Sequence, residues 1–379
     1  MKTKDKLDNQ NWLKQFFFKN PVRYILFAII LVMIIVSVCF SNYIDRLIYS
    51  HLENDKLIFI KGDKAFIHVV SVGEADACVI EMPTGEVCVV DTGTVYPSFK
   101  LVNYINDNVI NNKKSKKIDY LFYTHADDDH SGGVEALLSN FDVKNIIRPR
   151  QYAEFEKSPD VYGEVVNTIN YTRIMSAIYE ECEKGANLIK AEDGLEFNCG
   201  ESKIEIFYPL KKYKDSNNYS YYIKFSHKGK SMLFTGDALV DSEKDLLKIH
   251  AEDLKCDILK VGHHGGDNSN SIGFLKAVNP KHAVISVGAN RLGHPHETVL
   301  DNLRNMNCEI YRTDVLGNIV ILLDSELRFY SNHIGSTPLR FSYRFIALIG
   351  MSIIILTIII DLIKFIIEKN KLKKLNKMM

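Results

Sequence analysis

The segment Thr124-His-Ala-Asp-Asp-Asp-His-Ser-Gly-Gly133 places four metal-binding side chains, His125, Asp127, Asp129 and His130, within six residues of a loop. Alternate positions of an extended turn face one side, so 125, 127 and 129 converge, with His130 beside Asp129. Imidazole nitrogen and carboxylate oxygen suit one or two divalent metal ions, Zn or Mn. Gly132 and Gly133 allow the helix that follows to pack close to the loop. Phe234-Thr-Gly-Asp237 ends a strand pattern on a carboxylate, and Leu259-Lys-Val-Gly-His-His-Gly-Gly266 ends another on His263 and His264. Val89-Val-Asp-Thr-Gly93 ends a third on Asp91, placed to hold a ligating imidazole from behind. Gly293-His-Pro-His296 sets His294 and His296 in a proline-containing loop, where an imidazole would contact a phosphate or protonate a leaving group.

These segments need a scaffold that brings strand ends together. Strand patterns run at 57–60, 65–71, 77–81, 86–90, 119–123, 203–207, 219–225, 231–234, 256–261, 282–287, 309–311, 318–323 and 326–330. Helix patterns run at 99–112, 131–139, 163–183, 240–250, 271–278 and 298–306. Strands and helices alternate in two halves, which predicts an α/β protein of layered sheets covered by helices.

At this point the sequence resembles the metallo-β-lactamase superfamily, and within it the hydrolase domain of ComEC-type competence proteins. The resemblance rests on His68-Val-Val-Ser-Val-Gly-Glu-Ala-Asp-Ala77, Asp91-Thr-Gly93, the 124–133 segment, Tyr208-Pro-Leu210 with Asn217-Asn-Tyr-Ser220, Phe234–Asp237, Leu259–Gly266, Asn279-Pro-Lys-His-Ala-Val-Ile-Ser-Val-Gly288, Gly293–His296 and Tyr311-Arg-Thr-Asp314, in order. It implies an αββα sandwich with metals at the edge between the sheets. It also implies that His125, Asp127 and a bridging Asp237 hold one metal. Asp129, His130, Asp237 and one of His263 or His264 would hold the other, with His263 favoured because it comes first after its strand. Asp91, Asn217 and Asn218 would support these ligands from behind, and Asp129, His294 and His296 would serve catalysis. The chain departs from the superfamily in having Asp127 at its second motif histidine. Asn217, Asn218 and Ser220 stand where a further histidine is expected, as in the ComEC-like branch, which leaves one site poor in ligands. The usual Gly-Gln-Gly-Asp of that branch reads Gly73-Glu-Ala-Asp76. The donor set disfavours β-lactam hydrolysis and implies attack of activated water on a phosphodiester, single-stranded DNA being the leading substrate. A cell-envelope phosphodiester of the phosphocholine or teichoic-acid type, or a metal-containing module that binds without cleaving, are the alternatives.

Two long apolar runs frame this domain, the first uncharged over 24–40. Residues 22–44 span roughly 34 Å as a helix, enough to cross a bilayer core. Residues 344–367 form the second run, with Asp361 and Lys364 near one end. The expected organisation is a basic cytoplasmic tail at 1–21, a transmembrane helix at 22–44, the hydrolase domain at 45–340, a second transmembrane helix at 344–367 and a basic cytoplasmic tail at 368–379. Formal net charge is zero, with 47 basic and 47 acidic side chains. Residues 1–44 hold six basic and two acidic side chains, and 341–379 seven and two, which leaves about −9 for the middle. A wholly basic nucleic-acid binder is excluded. Lysine clusters at 113–117 and 211–214 offer the domain local positive charge. The cysteines lack CxxC spacing and read as buried small hydrophobes in a compartment that permits disulfides. The lysines outside both apolar runs place both termini in the cytoplasm and the catalytic domain outside it, at the cell membrane. Protease added to intact protoplasts is therefore expected to remove the domain; full protection until lysis would reverse the topology.

Overall fold

The computed structural model describes residues 63–331 other than 97, 111–115 and 157–160, with scattered helical positions between 357 and 371. The described sheets lie within one compact unit, Lys56–Thr337. The apolar run 22–44 and the strand pattern 57–60 lie outside the described residues, as does most of 344–367. Among the described residues no helix is long and apolar enough to cross a membrane.

The first half of the unit supplies β1 (Ala65–Val69), β2 (Ala77–Glu81), β3 (Val87–Thr92), β4 (Lys117–Phe122), β5 (Asp142–Arg148), the short pair β6 (Gln151–Ala153) and β7 (Glu164–Val166), and β8 (Asn187–Lys190). The second supplies β9 (Glu196–Cys199), β10 (Ser202–Phe207), β11 (Tyr222–His227), β12 (Lys230–Phe234), β13 (Ile258–Lys260), β14 (His282–Ile285), β15 (Glu309–Arg312), β16 (Ile319–Leu323) and β17 (Leu327–Ser331). One sheet has the order β17-β16-β1-β2-β3-β4-β5-β8, the other β15-β14-β13-β12-β11-β10-β9. β3, β4, β5 and β8 run parallel, and so do β12, β13, β14 and β15.

Three apolar layers hold the sheets in place. Ile67, Ile80, Val90 and Phe122 of the first sheet pack with Ile204, Ile223, Phe225, Met232 and Phe234 of the second. The alternate residues Val79, Val89, Leu121 and Ile146 face Leu101, Leu137, Ile174 and Ile178 of helices. Leu233, Leu259 and Ile285 face Leu246, Phe274 and Leu303. The metallo-β-lactamase order of layers, helix–sheet–sheet–helix, follows directly. Strands buried on both faces read as continuous apolar runs, which is why 65–69 and 77–81 were legible.

Differences from the sequence reading have local causes. β5, β8 and β9 were not expected, because Asp142, Lys144 and Asn145 or Asn187 and Lys190 break the apolar run. The helix expected over 163–183 starts at Ile169, where the Thr168 hydroxyl accepts the Tyr171 amide at 3.1 Å. Residues 164–166 instead pair with β6. The pattern at 131–139 resolves into two short helices, Asp128–Ser131 and Val134–Leu138. Gly133 joins them, and its amide donates to the Gly93 carbonyl at 3.0 Å. A methyl group there would overlap the Thr92 carbonyl. Gly133→Ala is expected to destabilise the domain by about 1–3 kcal/mol; an unchanged thermal midpoint would show that the helix can move away.

Candidate metal centre

The chemistry-bearing segments meet at one edge of the sandwich. Asp91 lies near the end of β3, residues 124–130 follow β4, Asp237 follows β12 and the two histidines follow β13. These are the carboxyl ends of parallel strands, where successive loops open on the same side.

Asp91 organises the first loop. Its backbone is left-handed, with φ of 56°, a conformation unfavourable for a residue with a Cβ. Its carboxylate accepts the Thr124 amide at 2.7 Å and the Thr124 hydroxyl at 2.9 Å. The same carboxylate lies 2.8 Å from His130 Nδ1. A carboxylate only accepts, so Nδ1 carries the proton and Nε2 keeps its lone pair. That Nε2 is buried, 3.0 Å from Asp237 Oδ1 but not aligned as a hydrogen bond. His264 is set the same way. Its Nδ1 lies 2.9 Å from the Ser286 carbonyl, which leaves Nε2 at 3.2 Å from Asp129 Oδ2 and 3.7 Å from Asp237 Oδ2. His125 is fully buried, with Nδ1 at 3.2 Å from the Thr124 hydroxyl and Nε2 without a hydrogen-bond partner.

One ligand atom each from Asp129, His130, Asp237 and His264 lies within 4.8 Å of the others. Buried imidazole nitrogens and a buried Asp237 Oδ1 lacking hydrogen bonds fit a divalent metal and leave the polar atoms otherwise unsatisfied. Among the described residues, no cysteine joins the set, and all six described cysteines are free thiols. His264, rather than His263, lies inside this cluster. His263 Nδ1 pairs with Asn268 Oδ1 at 2.7 Å, and its Nε2 stays 3.9 Å from Asp237 Oδ2. Both residues have left-handed backbones, which send adjacent side chains in different directions. Asp127 is more open than the rest. Its Oδ2 lies 3.9 Å from His125 Nε2, and its Oδ1 accepts the Ser216 hydroxyl at 3.3 Å.

The buried carboxylates and imidazoles shift one another's proton affinity. Burial depresses His130, but the carboxylates of Asp237 and Asp91 outweigh it and hold the imidazole well above its ordinary value. Burial likewise depresses His264, yet Asp237, Asp129 and Asp76 raise it to about 9. Burial lifts the Asp129 carboxyl, and His264 and His130 more than offset that, bringing it down to about 2. Against burial, His130 and His264 hold Asp237 well below the carboxylate range. His125 moves the other way, lowered by burial and by His130.

The remaining expected residues take varied places. Asn218 accepts the Leu239 and Ser242 amides at 3.2 and 3.1 Å, capping the helix Val240–His250 behind Asp237. Asn217 sits in the turn before it and donates its amide to Asp215. Ser220 accepts the Asp237 amide at 3.2 Å. The His294 ring lies 5.3 Å from that of His263 and 6.2 Å from that of His264. His296 lies 5.6 Å further out, with Nδ1 at 3.5 Å from Asp267. The sequence reading assigned no role to Lys260 or Asp76. Lys260 Nζ donates to Asp76 Oδ2 at 2.7 Å, and both are buried. The Asp76 amide in turn donates to the Asp129 carbonyl at 3.0 Å, and Asp76 Oδ1 lies 3.5 Å from His264 Nδ1. The signal was a lysine inside the apolar run 258–261, since a buried charge demands a partner.

The family model for the metallo-β-lactamase superfamily matches residues 71–289. The chain belongs to that superfamily, as its layers and its centre indicate. It is 29% identical over 266 residues to ComE operon protein 3 of Bacillus subtilis, covering 67% of this chain and 32% of that protein. It is 29% identical over 236 residues to competence protein ComA of Neisseria gonorrhoeae, covering 62% and 28%. The chain thus spans about a third of the length of these relatives. The crystal structure of the metallo-β-lactamase fold protein YhfI from Bacillus subtilis is 11% identical with a TM-score of 0.45, over 69% of this chain and all of that one. Asp237→Asn is expected to weaken metal binding by at least about 100-fold, and Asp91→Asn by about 10- to 100-fold. Metal per protein after dialysis checks both; an unchanged stoichiometry in Asp237→Asn would remove that carboxylate from the ligand set.

Proposed function

We propose that the protein is a membrane-anchored, metal-dependent phosphodiesterase acting outside the cytoplasm on DNA, single strands foremost. The observation that carries this reading is the cluster of Asp129, His130, Asp237 and His264, in which the buried His130 Nε2 and Asp237 Oδ1 have no hydrogen-bond partner. The buried His125 and the more open Asp127 would extend the donor set beside it. Nitrogen and oxygen donors with no thiolate suit Zn or Mn. Such a metal supplies Lewis acidity, making water nucleophilic near neutral pH and offsetting charge on a phosphoryl group.

The chain's own residues do the rest. Asp91 and the Ser286 carbonyl fix the two ring tautomers, so that Nε2 of His130 and of His264 face the centre. Asp76 and Lys260 anchor the Asp129 backbone. His294 and His296 line the mouth, where an entering phosphodiester and its leaving group would lie. DNA as the source of the phosphodiester rests on similarity to competence proteins, which is analogy and not geometry.

The test is the purified full-length protein with Zn²⁺ or Mn²⁺, offered single-stranded DNA, an aryl phosphodiester and a phosphocholine ester. Cleavage of the first two is expected, abolished by chelator, and Asp129→Ala should lose at least about 1,000-fold in turnover. Cleavage of the phosphocholine ester alone would replace DNA with an envelope substrate. Stoichiometric metal with no turnover would make the domain a binding module.

A further inference from the structure

We propose that Gln151 is the positioning residue of the metal position formed by His125 and Asp127, offsetting the shortage of ligands there by fixing the two that are present. The inference rests on the metal-dependent reading and deepens it by assigning what holds a second ion. His125 Nε2 is buried without a hydrogen-bond partner and lies 3.9 Å from Asp127 Oδ2. The residue between these two donors is Ala126, and its amide donates to Gln151 Oε1 at 2.7 Å. The Ala126 carbonyl accepts the Ser131 hydroxyl at 2.8 Å, so side chains hold both polar groups of that residue. Gln151 is fully buried, and its Nε2 donates to Glu164 Oε2 at 2.6 Å and to Ser216 Oγ at 2.8 Å. Ser216 Oγ in turn lies 3.3 Å from Asp127 Oδ1 and 3.1 Å from Glu164 Oε2.

The direction of each bond follows from its groups. A backbone amide only donates, so Gln151 Oε1 must face Ala126, and the NH2 group must face Glu164 and Ser216. Its two protons serve those two acceptors. Ser216 has a single proton of its own; with Glu164 already supplied by Gln151, that proton is left for Asp127. One side-chain amide therefore fixes the backbone between His125 and Asp127 and turns a hydroxyl toward the Asp127 carboxylate. Gln151 stands on a firm base: it pairs with Glu164 across β6 and β7, and its main-chain carbonyl accepts the buried Tyr171 hydroxyl at 2.8 Å. The imidazoles of the neighbouring cluster are oriented by other groups, His130 by Asp91 and His264 by the Ser286 carbonyl. Loss of Gln151 should thus act on one metal position and spare the other, because supporting partners tune the ligands they touch.

The test is Mn²⁺ binding to the full-length protein, which needs no turnover and so stands apart from the choice of substrate. Wild type is expected to bind two ions per chain, with the paramagnetic resonance spectrum of a coupled pair. Gln151→Met keeps the length of the side chain and removes its hydrogen bonds. It should weaken the second ion at least about tenfold, leave the first within about threefold, and give the spectrum of isolated Mn²⁺. Ser216→Ala should weaken the second ion in the same direction, and Ser216→Thr, which keeps the hydroxyl, should recover it. A single ion in wild type, equal weakening of both ions in Gln151→Met, or wild-type binding in that variant would overturn the proposal, since a merely structural Gln151 would not distinguish the two positions. If Gln151→Met does not fold, the Ser216 variants decide, and equal binding by Ser216→Ala and Ser216→Thr overturns it. If wild type binds two ions yet cleaves no phosphodiester, the functional reading falls, and the same titrations still decide the role of Gln151.

Discussion

Four carboxylates, those of Asp76, Asp91, Asp129 and Asp237, crowd one edge of the sandwich, and three of them are almost fully buried. Like charges in so small a volume repel strongly unless cations or protons stand between them. Each carboxylate has such a partner. Lys260 neutralises Asp76, His130 stands between Asp91 and Asp237, and His264 lies between Asp129 and Asp237. The centre is therefore an alternation of negative and positive groups, in which a divalent ion bound by the two Nε2 atoms would take the place of protons on the imidazoles. Metal binding there releases protons and couples occupancy to the stability of the loops.

This alternation constrains the backbone. The carboxylates sit at or beyond the ends of β1, β3, β4 and β12, strands of two different sheets, so the sheets must stay in register. The inter-sheet layer of Ile67, Ile80, Phe225 and Phe234 does this from below. At the centre itself, small residues remove the steric obstacles. Gly236, with φ of 51°, lets Asp237 approach Thr124 and Ser220, where a Cβ would come within 2.6 and 2.9 Å of their hydroxyl oxygens. The left-handed Asp91, His263 and His264 are strained positions gathered at the site and held by the surrounding hydrogen bonds.

How much of this was legible depends on how local the signal was. The 124–130 segment could be read because its donors are close in sequence. Asp237 and the His263–His264 pair could be read because each ends a run of apolar residues. The choice between those two histidines could not. It turns on two consecutive left-handed residues, and no residue type announces that. β5 and β8 are not legible because their polar residues bond to neighbouring strands 26 and 42 residues away. Asn145 Nδ2 donates to the Asp119 carbonyl, and Asn187 Nδ2 to Asn145 Oδ1. Asn218 caps a helix start behind Asp237 through amides 21 and 24 residues away, a tertiary bond that spacing does not encode. The lysine of the Asp76 pair was visible as an anomaly, but its partner lies 184 residues away.

The acidic balance of the domain bears on how it would hold a polyanion. Of the lysines that promised local positive charge, two are engaged in ion pairs. Lys117 pairs with Asp119 at 2.5 Å and Lys211 with Asp245 at 2.6 Å, while Lys113 and Lys114 lie outside the described residues. Exposed pairs of this kind carry little net field beyond a Debye length. A metal at the centre would add positive charge beside the reacting phosphate itself, where these lysines do not lie. A site that grips its substrate at the reacting phosphate has little purchase on the bases. It would discriminate by access to a single phosphodiester and by the leaving group, rather than by sequence. The imidazoles of His294 and His296 at the mouth are placed for that kind of discrimination.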